Sequence, residues 1–597
     1  MTPRPGAARP LPPLAIALAA LVVLVLALPW ILTPIIGSRL KAEARARGCD
    51  VRWQSLAFRW PLRVAVRGLE VDRLEPRQAL ARASHVEASL GPRGLSLRPR
   101  VTRLEMRDVL VRLPAATDDD TEPVAAEDSR LEGPASPRVR AAANQLAQAL
   151  LLPARRLPEL RLLDVNVLRG DSLFTRIDAL ELTHAGGGVL FASHGLLAGE
   201  QRVPFEAALQ WQHDDRLEGR ASFEIPDEHA GAARLRCVVD GRVTQDRRAG
   251  ALRVREGSRL VIGRAEVELS GELRREGPRL RVSLAARGLT ASDVQESFPP
   301  AMLGPLADLS VRGSWDWHAS LDVNVAEPDS ARFTADVVPH GLTLGADGAR
   351  VPLRQLSEPF LAHIHVPRDR IVYRELSGAN PHYRPLDRLS PFLREAVLTN
   401  EDGAFYRHRG FNTEAIQGAM AANLRAGAYR RGAGTITMQL ARNLFLGHRR
   451  TLSRKAQEVV LAWVLEHLTP LSKDRLLEIY LNIIEWGPGL HGADEAARFY
   501  FDRDAQDLTL DEALFLTVLV PSPGRWKSRL DRVGELRPWA RSQMAFIARK
   551  MSSRGVLTPE QVPNAEQLHI TLRGPAAQAF APRDSTSAPA ADSSGAL

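Results

Sequence analysis

Residues 401–412 read Glu-Asp-Gly-Ala-Phe-Tyr-Arg-His-Arg-Gly-Phe-Asn, and the fold prediction for the C-terminal half of the chain depends on this segment. Two adjacent carboxylates open the segment, an aromatic ring and a histidine follow at short spacing, and a glycine lies near its end. A Glu-Asp pair alone is most often a solvated helix end. The segments that follow it along the chain give this pair a more specific meaning.

Four later segments supply side chains of complementary chemistry. In chain order they are residues 431–443, the group Arg454, Lys455 and Glu458, residues 472–482 and residues 487–501. The first of them is glycine-rich and leads into a predicted helix that carries hydroxyls, amides and a cation. From 392 to about 551 the apolar residues recur at helical spacing, so this part of the chain is predicted to be helices joined by loops.

Taken together, these segments resemble the peptidoglycan glycosyltransferases of family 51, which are lysozyme-like enzymes that polymerise lipid II. The resemblance covers about residues 385–555 and includes five motif regions in the family's order, of which the last, 541–551, is weak. It implies a mostly α, lysozyme-like domain with glycosyltransferase activity. No Lys-Thr-Gly triplet occurs in the chain, so no transpeptidase domain is expected beside it.

The reaction that the resemblance implies joins two sugars. The 4-hydroxyl of an acceptor sugar attacks the anomeric carbon of a lipid-pyrophosphate sugar and inverts that centre. Because a sugar hydroxyl is a poor nucleophile at neutral pH, a carboxylate must accept its proton, and Glu401 matches the family's general base. Asp402 is expected to hold Glu401 in place or to raise its pKa by like-charge repulsion. Phe405 and His408 match positions that support the site, and a purely structural His408 is an equal alternative.

The leaving group is a pyrophosphate, so fixed cations are expected where its negative charge develops. The family pattern places three cations there: Arg442, Arg454 and Lys455. It adds three hydrogen-bonding side chains around the phosphates: Thr435, Gln439 and Asn443.

Glu458 has two interpretations. Arg454 and Glu458 stand four residues apart, which is the spacing of an ordinary helix ion pair. However, Glu458 borders an apolar face with Leu461 and Ala462, where a carboxylate usually has a function. In the family the matching acid activates the donor or organises the phosphates. We therefore expect Glu458 to be a second catalytic acid and no organic cofactor to be needed, and a divalent metal such as magnesium stays an open alternative.

Four positions depart from the family pattern, namely Asn412 for Asp, Gly434 for Ser, Met438 for Gln and Arg442 for Lys. Arginine keeps the positive charge and can contact phosphate through two donors. The hydroxyl lost at Gly434 leaves open a second hypothesis, a catalytically quiet domain in an envelope scaffold or lipid-handling protein. Both acids are intact, so activity is expected. Three further matches are interpreted as mainly structural: Glu478, Tyr480 and Asn482.

The N-terminal residues predict a membrane anchor. No charged residue lies between 10 and 38, and this uncharged span is long enough to cross a bilayer as a helix. Within it, the run 14–28 is almost wholly aliphatic. A cleaved secretory signal is the alternative because Arg4 and Arg9 precede the run, but no small-residue cleavage site closes it. Residues 1–37 are therefore expected to form a cytoplasmic tip and an uncleaved anchor, although the basic residues after it oppose this orientation.

Residues 38–370 are predicted to form a β-rich extracytoplasmic region. From Trp315 to Val325 apolar and polar residues alternate, which is the pattern of a half-buried strand. The region weakly resembles the membrane-anchored β-rich segments of AsmA-like envelope proteins. Residues 114–137 are acidic and poor in apolar side chains, which predicts a disordered loop, and the Ala-, Ser- and Pro-rich residues 576–597 predict a disordered tail.

Composition limits the possible partners of this 597-residue chain. Its net charge of +9 suits phosphate-bearing lipids and anionic membranes, and the pyrophosphate-directed cations favour these partners over nucleic acid. Only two cysteines occur, Cys49 and Cys237, which excludes a disulfide framework and a cysteine-based zinc site.

The combined prediction is a multidomain protein with an N-terminal transmembrane helix, a β-rich middle region and a C-terminal, mostly α, lysozyme-like glycosyltransferase domain. Its expected function is the polymerisation of lipid II for peptidoglycan synthesis, at the inner membrane with the catalytic domain in the periplasm. The expected partners are lipid II, the growing glycan strand, the membrane and other cell-wall synthesis proteins. A lytic enzyme is disfavoured, because cleavage of finished glycan needs no cations directed at a pyrophosphate.

Overall fold

The computed structural model describes residues 31–113, 140 and 158–580, with short gaps inside these ranges. The gaps fall at 61, 75–77, 94–95, 170–171, 186–187, 199–201, 212–215, 227–233, 247, 276, 347, 349, 368–369, 428–429 and 449–450. The aliphatic run 14–28 and the acidic loop 114–137 therefore lie outside the described residues, and both remain predictions. Of the helices that are described, none is both long enough and apolar enough to cross a bilayer.

The chain divides into two compact units. The first comprises residues 1–121, 137–286 and 319–326, and the second comprises 122–136, 287–318 and 327–597.

The first unit contains a helix, α1 (31–46), and a β-sheet. The strands are β1 (Cys49–Arg52), β2 (Ser55–Arg59), β3 (Arg63–Arg73), β4 (Gln78–Arg93), β5 (Ser96–Leu113), β6 (Glu159–Arg169), β7 (Ser172–Ala185), β8 (Gly188–Ala198), β9 (Arg202–Trp211), β10 (Arg216–Pro226), β11 (Arg234–Asp246), β12 (Ala251–Ile262), β13 (Ala265–Arg274) and β14 (Arg279–Thr290). They follow one another across the sheet in chain order, except that β1 and β2 both pair with β3. The strands β5 and β6 are parallel, whereas the other pairs from β1 to β14 are antiparallel.

Alternating side chains give this sheet its two faces, as the two-residue period of a strand requires. In β13, Ala265 and Val267 are buried while Glu266 and Glu268 are exposed. The register places Val267 opposite Leu260 of β12, so apolar residues of neighbouring strands meet on one face. The prediction of a β-rich middle region is confirmed. The two cysteines are both free, and Cys237 is buried.

The second unit combines a few strands with most of the helices. Its strands are β15 (Val311–Asn324, of which 311–318 belong to this unit), β16 (Arg332–Leu344), β17 (Phe360–Val366), β18 (Arg370–Leu376), β19 (Glu485–Gly487) and β20 (Leu490–His491). Its helices are α2 (Ala291–Ser297), α3 (Pro391–Glu401), α4 (Thr413–Ala426), α5 (Ile436–Ala441), α6 (Leu452–His467), α7 (Lys473–Ile483), α8 (Ala493–Phe501), α9 (Leu510–Leu519) and α10 (Pro538–Ser553). Short helical turns lie at Pro300–Leu303, Gly304–Asp308, Pro328–Ser330, Arg354–Ser357, Leu386–Arg388, Arg442–Leu446, Ala505–Asp507, Pro523–Arg529, Pro559–Gln561 and Gly574–Gln578.

The helices pack around α9. Every residue of α9 from Glu512 to Leu519 is buried, because this helix is apolar on nearly all sides and can only lie at the centre of a core. Its first turn is fixed by a capping box between Thr509 and Glu512. The prediction of a mostly α domain at the C-terminal end is confirmed.

The core of this unit extends beyond the predicted limits of 385–555. On the N-terminal side, Leu353 and the hairpin residues Ile364 and Leu376 are buried in the same hydrophobic cluster. On the C-terminal side, Leu568 and Ala576 are completely buried in it. Short irregular segments on both sides of the predicted domain thus contribute single apolar residues to the core, and such residues give no periodic signal. Residues 576–580 of the predicted tail belong to this packed end.

Candidate active site

Glu401 is the last residue of α3, a helix that begins with Pro391 at its first position and buries its apolar face in the core. The helix ends at this point because Asp402 leaves the helical conformation, with φ −157° and ψ 72°. One Glu401 carboxylate oxygen accepts a hydrogen bond from Gln439 Nε2 at 2.9 Å. The other accepts from Asn400 Nδ2 at 2.8 Å.

The surroundings of Glu401 raise the pKa of its carboxyl group above the ordinary value. Burial is the largest cause, because it disfavours the charged form. The two amide hydrogen bonds and the nearby Arg442 act in the opposite direction, and the charge of Asp402 adds a smaller upward shift. A buried carboxylate with a raised pKa that is held by neutral donors is suited to accept a proton.

Asp402 contacts other groups than Glu401. His408 Nε2 lies 2.9 and 3.0 Å from its two carboxylate oxygens, and the backbone N–H of Ile436 donates to it at 3.1 Å. Ile436 is the first residue of α5, so Asp402 joins the end of α3 to the start of α5. Two roles were predicted for Asp402. Its like-charge repulsion raises the pKa of Glu401 only slightly. Its hydrogen bonds support His408 and the start of α5, and not Glu401.

Two further predicted site residues are occupied by structural contacts. Phe405 is 1% exposed, and Lys473 Nζ lies 4.2 Å from the centre of its ring. Thr435 is the N-cap of α5, where its hydroxyl accepts from Met438 N–H and donates to the Gly410 carbonyl at 2.6 Å. The Thr435 hydroxyl therefore positions the glycine-rich segment, and the contact with phosphate predicted for it remains a prediction.

Tyr480 adds a group behind Gln439 that the sequence did not assign to the site. Its hydroxyl donates to Gln439 Oε1 at 3.1 Å, while Gln439 Nε2 donates to Glu401. Tyr480 is completely buried on α7, and burial raises the pKa of its hydroxyl. This chain of hydrogen bonds fixes the orientation of the Gln439 amide, since its oxygen must face Tyr480 and its nitrogen must face Glu401.

Arg442 lies beside this chain at the start of the π-helical turn Arg442–Leu446. Burial lowers the pKa of its guanidinium, and the nearby Glu401 and Tyr480 partly oppose that shift. Asn443, the next residue, is 7% exposed and lies with its Oδ1 3.5 Å from Arg442 Nε. Single π-helical turns are often found at functional sites, and this one directs two successive polar side chains of the segment into the site.

The second carboxylate, Glu458, is paired with two cations of its own helix. Arg454 forms an ion pair with one oxygen, and Lys455 Nζ lies 2.9 Å from the other. Glu458 is 2% exposed, so its charge depends on these partners. The pKa of Lys455 is lowered to about 8, first by burial and then by the charges of Arg442 and Arg454.

A polar cavity of about 470 Å³ brings several of these side chains together. Gln439, Arg442, Asn443, Arg454 and Tyr480 line one part of it. The rest of its lining consists of residues 364–367 at the end of β17, residues 483–485, Val520, Pro521 and Pro523, with His448 and His491.

His448 connects the cations to the β17–β18 hairpin. Its Nε2 donates to the His365 carbonyl at 2.8 Å, and burial lowers the pKa of the His448 ring. Sequence reasoning missed His448 and His365, because neither belongs to a recognisable motif. The only signal was the position of His448 between two segments that do.

Each of the four residues that depart from the family pattern has defined contacts or surroundings in the structure. Asn412 is the N-cap of α4, with its Oδ1 accepting from Ala415 N–H at 3.0 Å. A β-carbon on Gly434 would lie 3.6 Å from Lys455 Nζ, which is an ordinary contact distance. Met438 is 2% exposed and serves the core, and Arg442 is in the polar cavity.

The described residues do not fit a metal held by protein ligands. Among them there is no group of three or more His, Cys, Asp or Glu side chains that could hold an ion. Glu458 is occupied by two cations and Glu401 by two amides, so neither offers the oxygen environment that Mg²⁺ prefers. No step of the reaction is therefore assigned to a metal.

A proton-accepting carboxylate beside cations that can neutralise a leaving phosphate defines a group-transferring enzyme site in a mostly α domain. Comparison with known proteins supplies the family. Residues 369–551 match the family model described as Transglycosylase. The chain belongs to the peptidoglycan transglycosylase family, as the order of its motifs predicted.

Curated relatives carry the name biosynthetic peptidoglycan transglycosylase. The protein of Acinetobacter baylyi is 43% identical over 141 residues, which are 24% of this chain and 62% of that protein. The protein of Alcanivorax borkumensis is 42% identical over 167 residues (28% and 67%), and that of Nitrosospira multiformis is 38% identical over 172 residues (29% and 72%). The chain thus spans about two thirds of the length of these relatives. The weak resemblance of residues 38–370 to AsmA-like proteins stays a prediction.

Proposed function

We propose that this protein polymerises lipid II into glycan strands by inverting glycosyl transfer from a lipid-pyrophosphate donor to the 4-hydroxyl of an acceptor sugar. One observation carries the proposal. Glu401, with its raised pKa, shares a site with Arg442, whose neighbours include Arg454 and Lys455. A proton acceptor and a cluster of cations are the two aids that this reaction needs.

The side chains divide the reaction between them. Glu401 removes the proton of the acceptor hydroxyl while the oxygen forms its bond to the anomeric carbon of the donor sugar. The bond from that carbon to the pyrophosphate breaks on the opposite face, and the electron pair stays on the pyrophosphate oxygen. Arg442 and Arg454 stabilise this charge, because they are fixed beforehand in a partly dry cavity.

Glu458 acts in this scheme through the cations. Its two ion pairs hold Arg454 and Lys455 in position on α6, so Glu458 organises the phosphate-binding groups rather than the proton transfer. The same geometry gives no support to a quiet scaffold, since Gly434 leaves Lys455 and its partner Glu458 in place.

The proposed location is the periplasmic side of the inner membrane. A single-pass anchor within residues 1–37 would place the described units next to the membrane that contains lipid II. The proposed partners are lipid II, the growing glycan strand and other cell-wall synthesis proteins. The net charge of +9 favours attachment to anionic lipid.

The test is polymerisation of labelled lipid II by the purified full-length protein in detergent. Wild type is expected to form a polymer that a muramidase digests. Glu401→Gln should lower the rate about 10³-fold, because it removes the proton acceptor while keeping the shape of the side chain. Glu414→Gln on the exposed side of α4 is the matched control and should behave as wild type.

Two results would contradict the proposal. Folded wild type that forms no polymer would refute the activity, and polymerisation at the normal rate by Glu401→Gln would remove Glu401 from the role of base. Repeating the assay with a chelator in place of magnesium decides whether a metal takes part.

A further inference from the structure

An apolar cavity of about 250 Å³ lies in the second unit, apart from the polar site. Trp315 and Trp317 of β15 line it together with Trp463 of α6 and Phe411. The alternating pattern of β15 explains the first two, because residues two apart in a strand point to the same face. Most of the lining residues lie between 291 and 342, before the part of the chain that matches the transglycosylase family model.

The chemistry of the lining selects the kind of ligand. Its one strongly polar side chain is Gln295, whose amide nitrogen donates to backbone carbonyls of the turn Gly304–Asp308 and to that of Leu309 at 3.0 Å. The wall therefore offers few hydrogen-bonding groups to an occupant. A peptide segment would bring backbone amides that need partners, at a cost for each one left unpaired, whereas a hydrocarbon chain brings none.

The cavity and the cations share one helix. Val459 and Val460 of the cavity directly follow Glu458 on α6, and Val459 is one helical turn, about 6 Å, beyond Lys455. A buried hydrogen bond of 2.6 Å from Gln457 Nε2 to the Met302 carbonyl fixes α6 to the segment that forms the other wall. A ligand with a charged head at Arg454 and Lys455 could thus extend an apolar tail along α6.

Gly410 brings the segment 401–412, which carries Glu401, against the helix α6 that lines the cavity. Its φ of +89° lies in the region that glycine favours, and a β-carbon there would come within 3.1 Å of the backbone of Ala462 and Trp463. This close approach places Phe411 at the cavity wall beside Trp463.

We propose that this cavity binds part of the hydrocarbon tail of the lipid-pyrophosphate substrate, and that the segment 291–342 serves as a tail-binding element added to the transglycosylase domain. The inference rests on the proposed function for the identity of the lipid. Burial of tail carbons is the source of affinity, because each buried methylene group contributes favourably.

Kinetics with two donors of different tail length test the inference. The donors carry the same sugar-pyrophosphate head, one with the long polyprenyl tail and one with a single isoprene unit. Wild type is expected to show a KM at least about tenfold lower for the long-tailed donor. Ala291→Phe, which fills the cavity, and Val460→Lys, which puts a charge at its rim where Val460 is 44% exposed, should bring the two KM values together.

The matched control is Val338→Lys. Val338 neighbours the cavity residue Val337 but points away and is 54% exposed, so this variant should keep the wild-type ratio of KM values. Cavity variants that melt like wild type and keep that ratio would overturn the inference.

A binding measurement separates this inference from the proposed activity. A polyprenyl pyrophosphate with a brominated tail should quench the fluorescence of the cavity tryptophans in wild type and quench it less in Ala291→Phe. Quenching without polymerisation would support the cavity and refute the proposed function. Equal quenching of both proteins, or equal quenching of wild type by brominated phosphatidylcholine vesicles, would overturn the assignment to the substrate tail.

Discussion

Glu401 and Glu458 are residues of one type in two different surroundings. Glu401 is partly buried and accepts from the neutral amides of Gln439 and Asn400. Glu458 instead lies between two cations. Around Glu401 burial outweighs the two amide hydrogen bonds and leaves the carboxyl group with a raised pKa that suits a proton acceptor, whereas the Glu458 carboxylate is engaged in ion pairs. The difference between base and organiser thus depends on the neighbours.

The largest effect should come from breaking the ion pairs of Glu458. Glu458→Gln removes a buried charge that is paired with Arg454 and Lys455, and the Arg454 side chain is itself mostly buried, so the free energy of unfolding should fall by about 3 kcal/mol. Denaturant titration of the full-length protein measures this change. A Glu458→Gln variant as stable as wild type would show that the two cations have other sufficient partners.

Glu401→Gln is the counterpart and should not destabilise the fold. A carboxyl group whose pKa is raised by folding binds protons more tightly in the folded state, so its charged form at neutral pH costs stability. Removing the charge relieves that cost. The same titration should give wild-type stability or higher, and a marked loss would mean that the charge of Glu401 is needed by the fold.

Tyr480→Phe tests the neutral hydrogen-bond partners of Glu401. The variant removes the donor to Gln439 Oε1 and lets the amide turn away from Glu401, so we expect a fall in kcat of about tenfold, or about 1.4 kcal/mol. Steady-state kinetics with lipid II measure it, and KM should change little. A larger change in KM than in kcat would place Tyr480 in substrate binding.

The pH profile of kcat/KM tests the cations that are paired with Glu458. Activity should rise with pH as the Glu401 carboxyl group loses its proton and should fall again above about pH 8 as Lys455 becomes neutral. Lys455→Arg should remove the alkaline fall, because arginine stays charged throughout this range. An unchanged alkaline limb in the variant would assign that limb to another group.

The smallest effect concerns Asn412, at the end of the segment that begins with Glu401. Asn412→Ala should cost about 1 kcal/mol of stability, because it removes the N-cap of α4. Asn412→Asp should be neutral within error, since a carboxylate accepts the same N–H. Thermal melts compare the two variants, and a loss of activity without a loss of stability in Asn412→Ala would point to a contact with substrate instead.

The site residues that could be predicted from the sequence are those in short motifs, and their roles stay predictions. Glu401, Arg442 and the group from Arg454 to Glu458 were candidates because a helix turn or a single segment contains each of them. The hydrogen bond of His448 to His365 joins residues far apart in the chain, and no local pattern predicts such a contact. Tyr480 matched the family, but its role depends on Gln439 from another helix.

The fold, too, could be predicted where the pattern is local and could not be predicted where distant segments meet. The two-residue period of β15 predicted a half-buried strand, and the helical period from 392 predicted the helical domain. The period does not say which element covers a strand, so the apolar cavity between Trp317 and Trp463 could not be foreseen. The core residues Leu353 and Leu568 could not be predicted for a related reason, since they enter the core from segments without regular structure.

Gly410 contacts both the start of α5 and the helix α6 that lines the apolar cavity. Its carbonyl accepts from Thr435 at the start of the helix that carries Gln439, and its backbone lies against Trp463. A hydrocarbon tail that displaces Trp463 or Phe411 would, through the contacts of Gly410, also shift the segment 401–412, which carries Glu401. We therefore expect the domain to discriminate against soluble sugar donors. A donor without a hydrocarbon tail does not displace Trp463 or Phe411 and so leaves the segment 401–412 unmoved.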